Sequence, residues 1–99
     1  MILKQLEQKM LESSVIVVSS EQISSNLGEE TVILNLKSGA YHGLNEVGAQ
    51  IWNLIQEPRT IKEIEQRLLE EYDVEPEQCQ TEVVTLLSDL LAAGLITIN

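Results

Sequence analysis

Apolar residues in the first half of the chain follow the period of strands. The β-branched run from Val15 to Val18 predicts a short buried strand, and the polar residues 21–30 predict a loop. Residues 31–36 alternate as in a strand, residues 37–39 have the composition of a tight turn, and residues 40–44 return as a second strand of a hairpin. The alternation places Val32, Leu34 and Leu36 on one face and Thr31, Ile33 and Asn35 on the other.

The second half of the chain has the period of helices, and each helix has a start signal. Asn45 is a suitable N-cap for a first helix of about ten residues. Residues 60–63 form a capping box, which starts a second helix that ends near residue 72. Pro76 stands at a first helical position and starts a third helix that runs to about Ala93. Residues 95–98 predict a short closing strand or tail.

The order of these elements predicts the class of fold. One strand, a hairpin, three helices and a short strand indicate an α+β, winged-helix-like domain. We expect a three-stranded antiparallel sheet, made of the N-terminal strand plus the hairpin, together with three helices. The domain spans residues 13–99, and residues 1–12 form either a short amphipathic helix or a frayed terminus.

The third helix carries more apolar surface than one contact with a core requires. Its apolar residues cover roughly 160° of the helix, against the roughly 100° of an ordinary amphipathic stripe. The helix is therefore either fully buried or has one flank in the core and another flank along a groove. The sequence does not distinguish the two borders of the apolar arc. One border carries Cys79, Glu82, Leu86 and Ala93, and the other carries Val84 and Leu91.

The charge of the chain restricts its partners. Sixteen acidic and six basic residues give a net charge of −10. This charge disfavours nucleic acid and anionic membranes, because phosphate contacts require cations, and it favours basic peptides. A winged-helix transcription regulator is an alternative that the charge opposes, since Glu75, Glu77 and Glu82 at the start of the third helix would repel DNA. No apolar run is long enough to span a bilayer and no signal peptide is evident, so we expect a cytoplasmic protein.

The residues that usually carry catalysis are scarce. His42 is the only histidine and Cys79 is the only cysteine, and the two lie on different predicted elements. This excludes an internal disulfide and a multi-thiolate zinc site, and it disfavours a nucleophilic triad. The sequence also lacks a glycine-rich phosphate loop. We therefore expect no enzyme activity, no catalytic residue, no metal ion and no cofactor.

Three stretches together resemble a known family. "LNLKSGAYHGLNEVGAQIWNLI", "RTIKEIEQRLLEEYDV" and "DLLAAGLI" are similar to the PqqD-like family, and the resemblance covers roughly residues 15–98. Members are small peptide chaperones, also called recognition elements for ribosomally made, modified peptides. The resemblance implies a winged-helix-like domain that binds the leader segment of a precursor peptide. The leader adds as a strand to the outer strand of the hairpin and lies against the third helix.

The resemblance also implies which residues form the site. The edge contacts would come from the outer strand, over residues 40–44, at Tyr41, His42 and Gly43. The net charge of the chain suggests that the leader carries Lys or Arg. The wall of the groove on the third helix would draw on Cys79, Glu82, Val83, Leu86, Leu87 and Leu90.

The hairpin is most similar to the free-standing recognition elements of lasso-peptide biosynthesis. That type works beside a leader peptidase and an ATP-dependent cyclase, so the implied partners are a precursor leader and a leader peptidase or another peptide-modifying enzyme. Two alternatives stay open. The chain would serve a radical-SAM peptide-modifying enzyme in one, and would be a structural subunit of a larger complex, held by residues 1–12, in the other.

Overall fold

Six strands and three helices form residues 14–99, the part of the chain that the computed structural model describes. The predicted α+β class and its three helices are confirmed, and the prediction for residues 1–12 lies outside the described residues. No helix of the described part is long and apolar enough to cross a membrane. The elements are β1 (Val15–Val18), β2 (Gln22–Leu27), β3 (Glu30–Asn35), β4 (Tyr41–Leu44), α1 (Glu46–Leu54), β5 (Arg59–Thr60), α2 (Ile61–Glu71), α3 (Pro76–Ala92) and β6 (Ile96–Ile98).

The strands form two antiparallel sheets, which corrects the predicted single sheet. The N-terminal strand β1 does not join the hairpin; it lies between β5 and β6 in what we call the closing sheet. Residues 15–18 therefore pair with residues 96–99, and the backbone N–H of Val15 donates to the carbonyl oxygen of Asn99 at 3.0 Å. Such pairing between distant segments leaves no signal in the local pattern.

The other sheet, which we call the hairpin sheet, has the order β2-β3-β4. Its strand β2 lies in the segment that was predicted to be a polar loop. β2 pairs with β3 in register from Gln22 opposite Asn35 to Leu27 opposite Glu30. A two-residue turn joins them, and Gly28 takes the positive φ of 67° that such turns require. Only Ile23 and Leu27 are large and apolar in β2, so its hydrophobic pattern did not predict a strand.

The central strand β3 turns its more polar face inward. Thr31, Ile33 and Asn35 are buried, whereas Val32 and Leu34 are only half-buried. The Thr31 hydroxyl donates to Asn26 Oδ1 at 2.9 Å, so one of the two buried polar side chains is satisfied within the sheet. Burial of a polar group without such a partner would cost more than its packing contributes.

Asn35 connects the hairpin sheet to the end of α3. Its Nδ2 donates to the carbonyl oxygen of Ala93 at 2.8 Å, across 58 residues of sequence. Its Oδ1 accepts from the backbone N–H groups of Lys37 at 2.9 Å and Ser38 at 3.2 Å. One amide side chain therefore orders the β3–β4 turn and holds the hairpin sheet against the helices.

The apolar core joins both sheets to all three helices. Trp52 is 1% exposed, and it belongs to the same buried cluster as Ile16 of β1 and Ile33 of β3. Local capping fixes where the helices begin. Asn45 Oδ1 accepts from Gly48 N at 3.0 Å at the start of α1, and Thr60 and Glu63 form the predicted capping box of α2.

The role of Asn35 can be tested by its replacement with Ala. We expect Asn35→Ala to lower the free energy of unfolding by about 2 kcal/mol, because it removes three part-buried hydrogen bonds to the backbone of Lys37, Ser38 and Ala93. Ser38→Ala is the matched control in the same turn, since it removes only an exposed bond from Ala40 N to Ser38 Oγ. It should cost no more than about 0.5 kcal/mol. Urea unfolding measures both, and equal small losses would contradict the role assigned to Asn35.

Candidate functional site

Among residues 14–99, strand β4 is an edge of the hairpin sheet, and its hydrogen-bond pattern determines which backbone groups face outward. The backbone N–H of Asn35 donates to the carbonyl oxygen of Ala40 at 2.9 Å. In an antiparallel ladder, hydrogen-bonded pairs alternate with non-bonded pairs, so His42 directs its backbone groups to β3. Tyr41 and Gly43 therefore direct their N–H and C=O groups away from β3. Such an edge is a template for a further strand.

The other side of β3 supports this assignment. The backbone N–H of Leu36 donates to the carbonyl oxygen of Glu21 at 3.1 Å, so even-numbered residues of β3 bond to β2. Odd-numbered residues of β3 consequently bond to β4. Two independent hydrogen bonds thus lead to the same pattern for β4.

The side chains of β4 divide between the two faces of the hairpin sheet. Tyr41 is 72% exposed, and Gly43 lies on the same outer face. His42 is half-buried beside Ile33, and Leu44 is buried in the core. The three residues predicted as edge contacts are thus consecutive on the free edge, and Tyr41 and Gly43 supply its backbone groups.

A groove of about 340 Å³ begins where β4 ends and runs between α1 and α3. Asn45, which follows β4 directly, lines its start. Gly48 also lines it, and a Cβ at this position would lie 3.2 Å from Leu44 Cβ, so a larger residue would be crowded there. The remaining lining residues are Val47 and Ile51 of α1 and Thr81, Glu82, Thr85, Leu86 and Asp89 of α3.

The structure shows which border of α3 faces the groove. Glu82 and Leu86 line it, whereas Val84 is buried in the core and Leu91 is not among the lining residues. The border that carries Glu82 and Leu86 is therefore the groove side. Apolar side chains form its floor, and hydroxyl and carboxylate groups form its rim.

Four of the six residues predicted for the wall of the groove lie elsewhere. Cys79, Val83, Leu87 and Leu90 are at most 2% exposed and belong to the core. The wide apolar arc arises mainly because α3 packs in the middle of the core. Glu82 and Leu86 are the two that the structure brings to the groove.

Sequence reasoning missed the polar residues of the groove on α3. Thr81, Thr85 and Asp89 all line it and are exposed. They recur every four residues, so they form one row on the helix surface beside Glu82 and Leu86. That spacing was a usable signal, because residues four apart share one face of a helix.

The Cys79 thiol has no feature of a catalytic nucleophile. It is 2% exposed, and its Sγ lies 3.9 Å from the carbonyl oxygen of Glu65. Burial raises the pKa of the Cys79 thiol, and the carboxylates of Glu65 and Glu82 raise it further. The thiol is consequently protonated at neutral pH and unreactive. Residues 14–99 contain no cluster of His, Cys, Asp or Glu that could hold a metal ion.

A second cavity of about 300 Å³ lies on the other side of α1, between the β2–β3 turn and Tyr72. Two of its polar side chains, Gln50 and Tyr72, form hydrogen bonds with neighbouring carboxylates. Gln50 Nε2 donates to Glu71 Oε2 at 2.7 Å, and the Tyr72 hydroxyl donates to Glu46 Oε2 at 3.4 Å. Burial and the Glu46 carboxylate raise the pKa of Tyr72. These bonds connect α1 to α2, so we interpret this cavity as structural.

Comparisons with known proteins show the family and the fold of the chain. The family model of coenzyme PQQ synthesis protein D (PqqD) matches residues 30–96, which include β4, α1 and α3. The structure is similar to that of TbiB1 in complex with the TbiA(beta) leader peptide, with 30% identity and a TM-score of 0.77 over 81% of this chain and 93% of that chain. It is also similar in fold to lasso peptide synthetase B1 complexed with the leader peptide, with 23% identity and a TM-score of 0.74 over 83% and 96% of the two chains. No curated protein sequence matches the chain.

The position of Cys79 in the core can be tested by thiol labelling. We expect Ellman's reagent to modify the native chain at least about tenfold more slowly than the urea-unfolded chain, since the reagent needs an accessible thiolate. Because the pKa of the folded-state thiol is raised, the native rate should begin to increase only at a pH where the unfolded chain already reacts. Labelling of the native chain at the unfolded rate would place Cys79 at an open surface instead.

Proposed function

The chain belongs to the PqqD family, and from this premise we propose that it is a non-catalytic chaperone for the leader of a ribosomally synthesised precursor peptide. It binds the leader and delivers it to a processing enzyme. The similar protein TbiB1 is in complex with a leader peptide. The observation that carries the proposal is the continuity between the free edge of β4 and the groove, which meet at Asn45.

The leader binds as an additional strand of the hairpin sheet. Its backbone exchanges hydrogen bonds with Tyr41 and Gly43, which give affinity for any extended chain. Alternate side chains of an added strand point to one side, where an apolar residue of the leader enters the groove over Leu86 and Ile51. The groove therefore supplies the selectivity that main-chain bonds lack.

Two carboxylates give the groove a preference for basic residues. Glu82 and Asp89 lie two turns apart on α3, about 10 Å along the helix axis, with Leu86 between them. An extended peptide covers that distance in about three residues. We therefore expect a leader in which Lys or Arg residues flank an apolar residue. The same exposed carboxylates would repel the phosphates of DNA, which disfavours the alternative of a transcription regulator.

The enzyme served is a leader peptidase of the lasso-peptide type. The hairpin sequence is most similar to free-standing elements of that type, which supports this choice over a radical-SAM enzyme. The chaperone itself needs no cofactor, because strand addition and groove packing use only side chains and backbone groups of the chain.

Strand addition can be tested at Gly43. Gly43→Pro removes an outward N–H from the edge, and we expect it to weaken leader binding at least about tenfold. Gly43→Ala is the matched control because it keeps the N–H and its Cβ meets no atom within 4 Å, so its affinity should match the wild type. The measurement is fluorescence anisotropy of a labelled leader from the precursor encoded beside this chain. Equal affinities of the Pro and Ala variants would contradict addition at this edge.

The charge preference can be tested with a pair of double variants. Glu82→Gln/Asp89→Gln should weaken leader binding by about threefold to tenfold at low salt, and by less at high salt, because exposed charges are screened. Glu29→Gln/Glu70→Gln removes the same net charge from exposed positions outside the groove and should have a smaller effect. The same anisotropy assay, repeated over a salt series, measures both. If the two pairs lose affinity equally, only the overall charge of the chain matters.

A further inference from the structure

The outer face of the hairpin sheet, opposite the core, is apolar, and no other element of residues 14–99 packs on it. Five large hydrophobic side chains are exposed among residues 14–99. Only Leu69, 38% exposed, lies on a helix. The other four belong to the outer face: Ile23 is 57% exposed, Leu27 61%, Leu36 51% and Tyr41 72%. An apolar cluster of this kind on one face of a small protein marks an interaction surface.

The register of the sheet gives this face a definite shape. Ile23, Leu34 and Tyr41 are directly opposite one another on the three strands, so they form a ridge across the sheet. The next outward row consists of Ser25, Val32 and Gly43, whose small end members leave a shallow trough beside the ridge. A ridge and a trough of this kind can pack against a complementary apolar surface of a partner.

The orientation of β3 that exposes these residues is fixed by specific bonds. A shift of one residue in register would turn Val32 and Leu34 into the core, where hydrophobic burial would favour them. The structure instead buries Thr31 and Asn35, and the bond from Asn35 to Ala93 holds that orientation. The outer face is thus apolar, although the opposite orientation of β3 would place the polar side chains of Thr31 and Asn35 there.

We infer that the outer face docks the enzyme that processes the bound peptide, through an apolar surface of that enzyme with Lys or Arg at its border. Tyr41 belongs both to this face and to the edge strand, so an enzyme seated there would lie directly beside the leader. The identity of the partner rests on the proposed function. The position of the surface rests on the exposed residues alone.

The distribution of charge favours a basic partner over a second copy of this chain. Glu30 lies on the outer face opposite Leu27, and Glu29 is in the adjoining turn. Lys37, at the other end of the face, is paired with Glu21 at 3.7 Å. Two chains of net charge −10 would repel each other and would bring these acidic groups together. A partner with a basic border would be attracted and oriented by the same groups.

The test compares variants on β2, away from the leader site. Ile23→Ser/Leu27→Ser removes two exposed residues of the outer face, and Leu69→Ser is the matched control on α2. The partner used is the purified leader peptidase encoded beside this chain, with binding measured by biolayer interferometry. We expect the double variant to bind the peptidase at least about tenfold more weakly, and the control to bind as the wild type does. Leu36→Ser provides a second, milder variant that should weaken binding in the same direction.

A parallel measurement of leader affinity separates the two proposals. The labelled leader should bind the double variant and the wild type equally, since Ile23 and Leu27 lie outside the edge and the groove. If the wild-type chain does not bind the leader, the proposed function is wrong. Unchanged peptidase binding by the outer-face variants, or none by the wild type, would overturn the docking surface. A wild-type dimer in sedimentation velocity that the double variant abolishes would overturn it as well, because a second copy would then be the occupant.

Discussion

The hydrogen bonds of Asn35 are the constraint on which the other features depend. Its side chain bonds to the end of α3 and to the β3–β4 turn, so it fixes which face of β3 points to the core. Its backbone N–H bonds to Ala40 and sets the alternation along β4. The outward backbone groups of Tyr41 and Gly43 follow from that alternation, and the apolar outer face follows from the orientation of β3. One residue thus positions both surfaces that we assign to partners.

The groove begins at the residue that directly follows the edge strand. Asn45 follows β4, caps α1 and lines the groove, so no flexible linker separates the edge from the floor of the groove. In the proposed complex, a peptide that leaves the edge would meet Leu86 and the carboxylates of Glu82 and Asp89 on a surface that the protein already forms alone. Binding to a preformed surface requires less ordering of the protein, which leaves more of the interaction free energy for affinity.

The sequence predicted the features that local chemistry determines. Neighbouring residues determine the cap at Asn45, the capping box at Thr60 and the β3–β4 hairpin. The structure contains all three. The pairing of β1 with β5 and β6 depends on residues far apart in the chain, so no local pattern could indicate it. Strand β2 was missed because its pairing with β3, rather than its own composition, makes it a strand. On α3, an apolar arc could not distinguish contact with the core from contact with a groove, and most of the arc is core.

Strand addition to β4 is tested most directly by amide hydrogen exchange, followed by NMR with and without the leader peptide. Without the leader, the amide of His42 should be protected by its bond to β3, while those of Tyr41 and Gly43 should exchange rapidly. If the leader adds to this edge, its addition should protect the amides of Tyr41 and Gly43 and change that of His42 little. Saturating leader that leaves Tyr41 and Gly43 exchanging rapidly would show that the peptide does not add to this edge, and would contradict the central claim.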